Sequence, residues 1–164
     1  GAMRLAGLGD GLFVLPGTHS KWATVQGGRV TGFRTFMTGE FYGLLSQHSI
    51  LARTLEADAA LDEAVFLRGV ARAGNGEGLL HNSFGVRALA LFGRLSLPES
   101  ASYLSGLLIG EELRLQELPA GHEVIAIGAA ALTARYALAL GQRGVRVHSF
   151  GAEATWAGLR ALQG

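Results

Sequence analysis

The residues best suited to chemistry lie close together in one short stretch, Gly17-Thr18-His19-Ser20-Lys21, between an apolar run and an apolar–polar alternation. A glycine lets backbone N–H groups approach an anion with no Cβ in the way. Thr18 and Ser20 carry hydroxyl donors, His19 an imidazole and Lys21 a compact positive charge. That set suits a ligand with several anionic oxygens. The same residues also suit a plain polar hairpin tip, with His19 capping the turn, and spacing alone does not choose between the two. Further on, Gly128-Ala129-Ala130-Ala131-Leu132 follows an apolar strand and opens a helix. Small residues there leave room for a flat ring at a strand's carboxyl end, where open α/β sheets bind ligands. Tight helix–strand packing favours the same residues. A third stretch, Thr38-Gly39-Glu40, reads first as a helix start with Thr38 as N-cap.

Other chemistries find little support. There is no Ser-His-Asp order and no paired-carboxylate constellation. His48, His81, His122 and His148 share no metal-ligand spacing, so no metal site is expected from protein ligands alone. The absence of cysteine excludes disulfides and thiolate metal sites and suits a cytoplasmic protein. With 14 basic and 13 acidic residues and no basic stripe, nucleic acid is a poor partner. No apolar run is long enough to span a membrane. Apolar residues make up 49% and charged residues 16% of 164, which fits one folded domain.

The elements that must position these residues follow from pattern. GLFVLPG (11–17) reads as a buried strand. SKWATVQ (20–26) and RVTGFRTFM (29–37) alternate around the Gly27-Gly28 turn, giving an antiparallel meander. A helix then places Phe41, Leu44, Leu45 and His48 on one face. Helices follow over Leu61 to Arg94, split by a flexible AGNGEG loop (73–78), and another starts at Leu97-Pro98-Glu99-Ser100. Gly106 and Gly110 stand four apart in it, which favours close packing on another helix or on a bound flat ring. From Glu123 the rhythm becomes strand, helix, strand, helix, which implies parallel strands with helical crossovers. Gly1-Ala2-Met3 reads as a cleavage scar outside the fold.

The order of elements resembles one lobe of the actin/hexokinase-like ATPases: α/β, ribonuclease H-like, βββ-α-(helical insert)-β-α-β-α with a mixed sheet. LPGTHSKW (15–22), FRTFMTGEFYGLL (33–45), HSIL (48–51), FLRGV (66–70) and YLSGLLIGEE (103–112) resemble the 2-dehydro-3-deoxygalactonate kinase family from about Leu12 to the end. The resemblance implies ATP-dependent phosphorylation of 2-dehydro-3-deoxy-D-galactonate to its 6-phosphate, with Mg2+ as cofactor. It implies that Gly17, Thr18, His19, Ser20 and Lys21 bind phosphate and that Gly128, Ala129, Ala130 and Leu132 line the adenosine. Thr38 and Glu40 become candidates for substrate or Mg2+ contact at a cleft.

Such kinases have two lobes, and the first opens with an Asp-x-Gly-Ser/Thr turn. Asp10-Gly11 precedes the first strand and does not match it, and the family's Arg-Gly-Glu-Glu stretch is absent. The expectation is therefore a C-terminal lobe over 4–164, with a helical insert at about 58–118. It would be inactive alone, partnered by the N-terminal lobe that carries the catalytic base, with a homodimer left open. The rival reading is a non-catalytic nucleotide- or protein-binding module on the same fold.

Overall fold

The computed structural model describes residues 1–7 and 9–163. The chain divides into two compact units, one formed by Gly1–Met37 together with the chain from Leu118 onward, the other by Thr38–Glu117.

The first unit is built on a mixed five-stranded sheet of order β3-β2-β1-β4-β5. Its strands are β1 (Gly11–Leu15), β2 (Ser20–Gln26), β3 (Arg29–Phe36), β4 (Glu123–Ile127) and β5 (Arg146–Phe150). The first three form the expected antiparallel meander, and β4 and β5 add in parallel beside β1. The turn between β2 and β3 is held by Asp10, whose carboxylate accepts the Gly27 N–H at 2.6 Å. Strand β4 is buried on both faces through Val124, Ile125 and Ala126, as a central parallel strand must be. Helix α6 (Ala130–Gly141) covers one face, where Tyr136 reaches Ser20. Helices α1 (Ala2–Ala6) and α7 (Ala152–Gln163) cover the other, where Ala2 and Ala154 pack with Phe13, Ala23, Val25 and Ile125.

Residues 1–3, set aside above as a scar, are thus within the folded unit: α1 starts at Ala2, which is buried. The helix ends at Gly7, whose φ of 66° is the left-handed conformation that glycine adopts at helix ends. Gly158 of α7 gives α1 its room, since a Cβ there would come within 3.2 Å of the Gly1 nitrogen.

The second unit is helical: α2 (Thr38–His48), a 3-10 turn (Ile50–Thr54), α3 (Glu63–Ala73), α4 (Leu79–Leu91) and α5 (Leu97–Arg114). It is larger than the expected insert because α2 packs with it. Asp62 caps α3, accepting from the Val65 N–H at 3.0 Å. Ser96 and Glu99 form a reciprocal capping box on α5 with Pro98 in the first turn. Helix α5 is buried along residues 100–110 and forms the unit's axis.

Two expectations change here. Helix α2 turns Tyr42, Leu45 and Ser46 inward and leaves Phe41, Leu44 and His48 exposed, so Leu45 parts from the other three residues expected on its face. The Tyr42 hydroxyl, donating to the Ala57 carbonyl at 3.2 Å, fixes that rotation. The 73–78 loop is not loose either. The buried Asn82 exchanges hydrogen bonds with Asn75, accepts from Arg72 Nε at 2.9 Å, and Glu77 accepts from Arg72 and Asn75 at 2.6 Å each. Among the described residues no helix is long and apolar enough to cross a membrane.

Candidate functional site

Strands β1 and β4 are parallel neighbours, with Val14 opposite Ala126. The segments that leave their carboxyl ends therefore emerge at the same sheet edge. One is Pro16–His19, leading into β2; the other is Gly128-Ala129, leading into α6. They touch: a Cβ on Gly128 would lie 3.3 Å from the Pro16 carbonyl oxygen and 3.8 Å from Thr133 Cγ2. The Gly128 N–H donates to the Phe150 carbonyl at 3.0 Å, tying the same edge to the end of β5. A Cβ at 128 would thus crowd the Pro16 carbonyl, a packing reason for glycine there, and the two candidate segments are brought side by side.

Pro16–His19 bends without an internal hydrogen-bonded turn. Among the described residues, the Gly17 and Thr18 N–H groups and the Thr18 hydroxyl have no protein partner, and Thr18 and His19 are exposed. Space around Gly17 is open, with no atom within 4 Å of where a Cβ would stand. The loop can therefore present two backbone donors and a hydroxyl to an anion. Lys21 pairs across from Leu15 at the loop's base, and its ammonium donates to the His19 carbonyl at 2.8 Å. A cation is thereby held over the loop.

Ser20 is placed otherwise than expected. It is fully buried, and its hydroxyl accepts from Tyr136 of α6 at 3.2 Å. The reason is strand alternation: Ser20 and the buried Trp22 share the face covered by α6, while Lys21 lies on the opposite one. A hydroxyl so enclosed anchors the loop to α6.

Helix α6 begins without a side-chain cap at Ala129. Ala129, Ala130 and Ala131 are exposed and Leu132 is half-buried. The Leu132 and Thr133 N–H groups bond back to the Ala129 carbonyl, leaving the first-turn donors of Ala130 and Ala131 open, as helix geometry requires. The result is a flat, small-residue platform with a positive dipole end, next to a donor-rich loop.

Thr38 and Glu40 belong to the helical unit. Thr38 does not cap: it is already helical, and its hydroxyl donates to Glu112 of α5, a carboxylate only 3% exposed. The competing partner lies 74 residues away, so no local pattern shows it. Glu40 is half-buried in the first turn of α2. The neighbouring Glu111 pairs with Arg114 through one oxygen, and its other oxygen is buried with no partner among the described residues. In the sequence these two adjacent carboxylates argue only against a membrane span; their burial at the end of α5 is not visible there. Gly106 and Gly110 have the expected packing role: with Gly69 they bring α3 and α5 into backbone contact.

A family model described as 2-keto-3-deoxy-galactonokinase matches residues 1–162. The chain is 34% identical over 154 residues to "2-dehydro-3-deoxygalactonokinase" of Escherichia coli (strain K12), covering 92% of this chain and 52% of that one. It is 38% identical over 167 residues to a Rhizobium meliloti (strain 1021) protein named for the same activity, covering 98% and 55%. A crystal structure of a Sinorhizobium meliloti protein, also named for it, superposes with a TM-score of 0.85 at 34% identity. That superposition covers 98% of this chain and 56% of the other. The chain spans about half the length of the curated relatives it matches.

Proposed function

The chain belongs to the 2-keto-3-deoxy-galactonokinase family, and from that premise we propose that it is the C-terminal lobe of an ATP-dependent sugar-acid kinase. The reaction moves the terminal phosphoryl group of ATP to the terminal hydroxyl of 2-dehydro-3-deoxy-D-galactonate. ADP leaves, the 6-phosphate forms, and the hydroxyl proton passes to a base on the N-terminal lobe. The observation that carries the reading is the shared sheet edge, where the donor-rich Pro16–His19 loop touches the Gly128 turn.

Phosphoryl transfer relies on positioning and charge neutralisation more than on covalent chemistry. The Gly17 and Thr18 N–H groups and the Thr18 hydroxyl would hold phosphate oxygens, with Lys21 adding charge and His19 at the rim. Ala129, Ala130 and Leu132 would carry the adenosine. Mg2+, when bound, would neutralise phosphate charge. It is usually held by phosphates and one or two carboxylates. Among the described residues no group of three or more potential ligands could hold a metal without the nucleotide.

A chain that spans about half its relatives' length supports the reading of nucleotide binding without turnover by the chain alone. A single lobe buries one side of ATP, so affinity should be about millimolar, or roughly −4 kcal/mol. NMR titration of the chain with ATP should shift Thr18 and Gly128 together. Ala129→Phe, at an exposed position, should leave the Thr18 shifts and remove those at Gly128. A coupled ADP-release assay should stay at background with the sugar acid present. ATP that perturbs neither segment would end the nucleotide reading, and turnover by the chain alone would end the two-lobe reading.

A further inference from the structure

A groove of about 500 Å3 runs between α3 and α4 of the helical unit, beside the Arg72–Asn82 contact. Its walls are Arg68 and Arg72 of α3 and Gly85, Ala88 and Leu89 of α4; Tyr103 of α5 reaches it from below. Its size falls within the range of small-molecule sites. Gly85 keeps it open, since nothing lies within 4 Å of where a Cβ would stand.

The polar groups facing the groove are donors in excess. Arg72 is committed in part, through Nε to Asn82 and through Nη2 to Glu77 at 2.6 Å. Among the described residues, the Arg68 guanidinium and the Tyr103 hydroxyl have no hydrogen-bond or ion-pair partner. Both arginines act on the phenol: burial pushes the Tyr103 pKa up, and the charges of Arg72 and then Arg68 pull it back. Glu77 offsets Arg72, and Glu99, whose carboxylate is bound to the Ser96 N–H, feels the charge of Arg68 only at a distance. At most one positive charge is left unbalanced, on a planar fork beside an apolar wall.

We propose that this groove binds a small organic monocarboxylate with a flat apolar body. The carboxylate takes the two parallel N–H donors of Arg68, a geometry that suits a guanidinium. The Tyr103 hydroxyl donates to a remaining lone pair, and the body lies over Gly85 against Ala88 and Leu89. A doubly charged phosphate would find too little positive charge and no use for the apolar wall. The site does not depend on the nucleotide reading.

Benzoate is a suitable probe, with inorganic phosphate as the comparison, in NMR titrations of the 15N-labelled chain. Benzoate should shift Gly85 and Tyr103 saturably with a Kd of about 1 mM, and phosphate should not. Arg68→Gln, an exposed change that leaves the fold intact, should weaken benzoate at least roughly tenfold, the loss expected of one charge-assisted bidentate contact. Gly85→Leu fills the groove and should abolish binding, with the rest of the spectrum preserved. Absence of saturable shifts at Gly85 and Tyr103, unchanged affinity in Arg68→Gln, or equal binding of phosphate would each overturn the proposal.

Discussion

Replacing Gly106 by alanine sets two effects of opposite sign against each other. In an open helix, alanine is favoured over glycine by about 1 kcal/mol. Gly106 is not in an open helix. A Cβ there would stand 2.8 Å from the Phe66 carbonyl carbon, closer still to its oxygen, and 3.1 Å from the Val70 nitrogen. Real Cβ atoms essentially never come within 3.0 Å of another heavy atom. The obstacle is backbone, so no side chain can swing away and α3 and α5 must part. A gap of about 0.5–1 Å already forfeits a quarter to a half of each dispersion contact it opens. Overpacking a close-packed core costs about 1–3 kcal/mol, and moving two helices belongs at the upper end. The net loss after the propensity gain is about 2 kcal/mol. For a chain of this size that lowers Tm by roughly 4–8 °C. Thermal unfolding followed by far-UV circular dichroism measures it. Gly43→Ala in α2 is the control, because nothing lies within 4 Å of its Cβ position, and it should raise stability by about 0.5–1 kcal/mol. Gly106→Ala melting at or above the wild-type temperature would refute the backbone-contact argument.

In a two-lobe kinase of the kind proposed, Lys21→Ala should remove one preorganised charge contact, costing about 3 kcal/mol or roughly a hundredfold in kcat; a rate within twofold of wild type places Lys21 outside the site. Tyr136→Phe takes one partner from the buried Ser20 hydroxyl and should cost about 1 kcal/mol in urea unfolding, while ATP-induced shifts at Thr18 persist; loss of those shifts would mean that Ser20 does more than anchor. Three exposed carboxyls lie below the ordinary carboxylate range: Glu99 through hydrogen bonds from Ser96, Glu123 through Arg146, and Glu153 through the Gly151 N–H. Their folded-state values are the lower ones, so their stabilisation is present above the unfolded-state value and is lost as pH falls through the folded-state values. Tm should be flat near neutrality and fall in acid, and Glu123→Gln should make that fall shallower; an unchanged acid limb contradicts the assignment.

The strands were legible because alternation and turn residues are local, and β1, β2 and β3 fall where the local pattern places them: GLFVL, SKWATVQ and RVTGFRTF. The β4-α6-β5-α7 tail was legible for a similar reason, since its period changes at Glu123. The rotation of α2 was not, because the Ala57 carbonyl that takes the Tyr42 hydroxyl lies 15 residues further on. Ser20 shows the same limit within the candidate site. Its hydroxyl fits phosphate chemistry as well as its neighbours' do, and only the facing Tyr136, 116 residues later, turns it inward. Thr38 reads as a cap from its neighbours alone because Glu112 lies on a distant helix. Helix α1 offers one clear signal, Gly7 closing an Ala-Met-Arg-Leu-Ala run, which setting the first three residues aside discards.

The polar knot around Asn82 also governs how the chain ages. Asn75-Gly76 is the chain's one Asn-Gly pair, the sequence most prone to deamidation, because a small following residue lets the next backbone nitrogen attack the carboxamide carbon. That attack needs the Asn75 side chain to swing freely. Its nitrogen donates to Glu77 at 2.6 Å and to Asn82 at 3.2 Å, and its oxygen accepts the Glu77 N–H and the Asn82 amide at 3.0 Å each. With both ends of the carboxamide occupied, ring closure waits for the loop to open, so the deamidation rate on storage reports that opening equilibrium. Once it happens the damage spreads. An aspartate at 75 has no N–H to give, faces the Glu77 carboxylate, and leaves the buried Asn82 with one donor fewer. Deamidation at Asn75 is therefore a clock wound by the loop between α3 and α4.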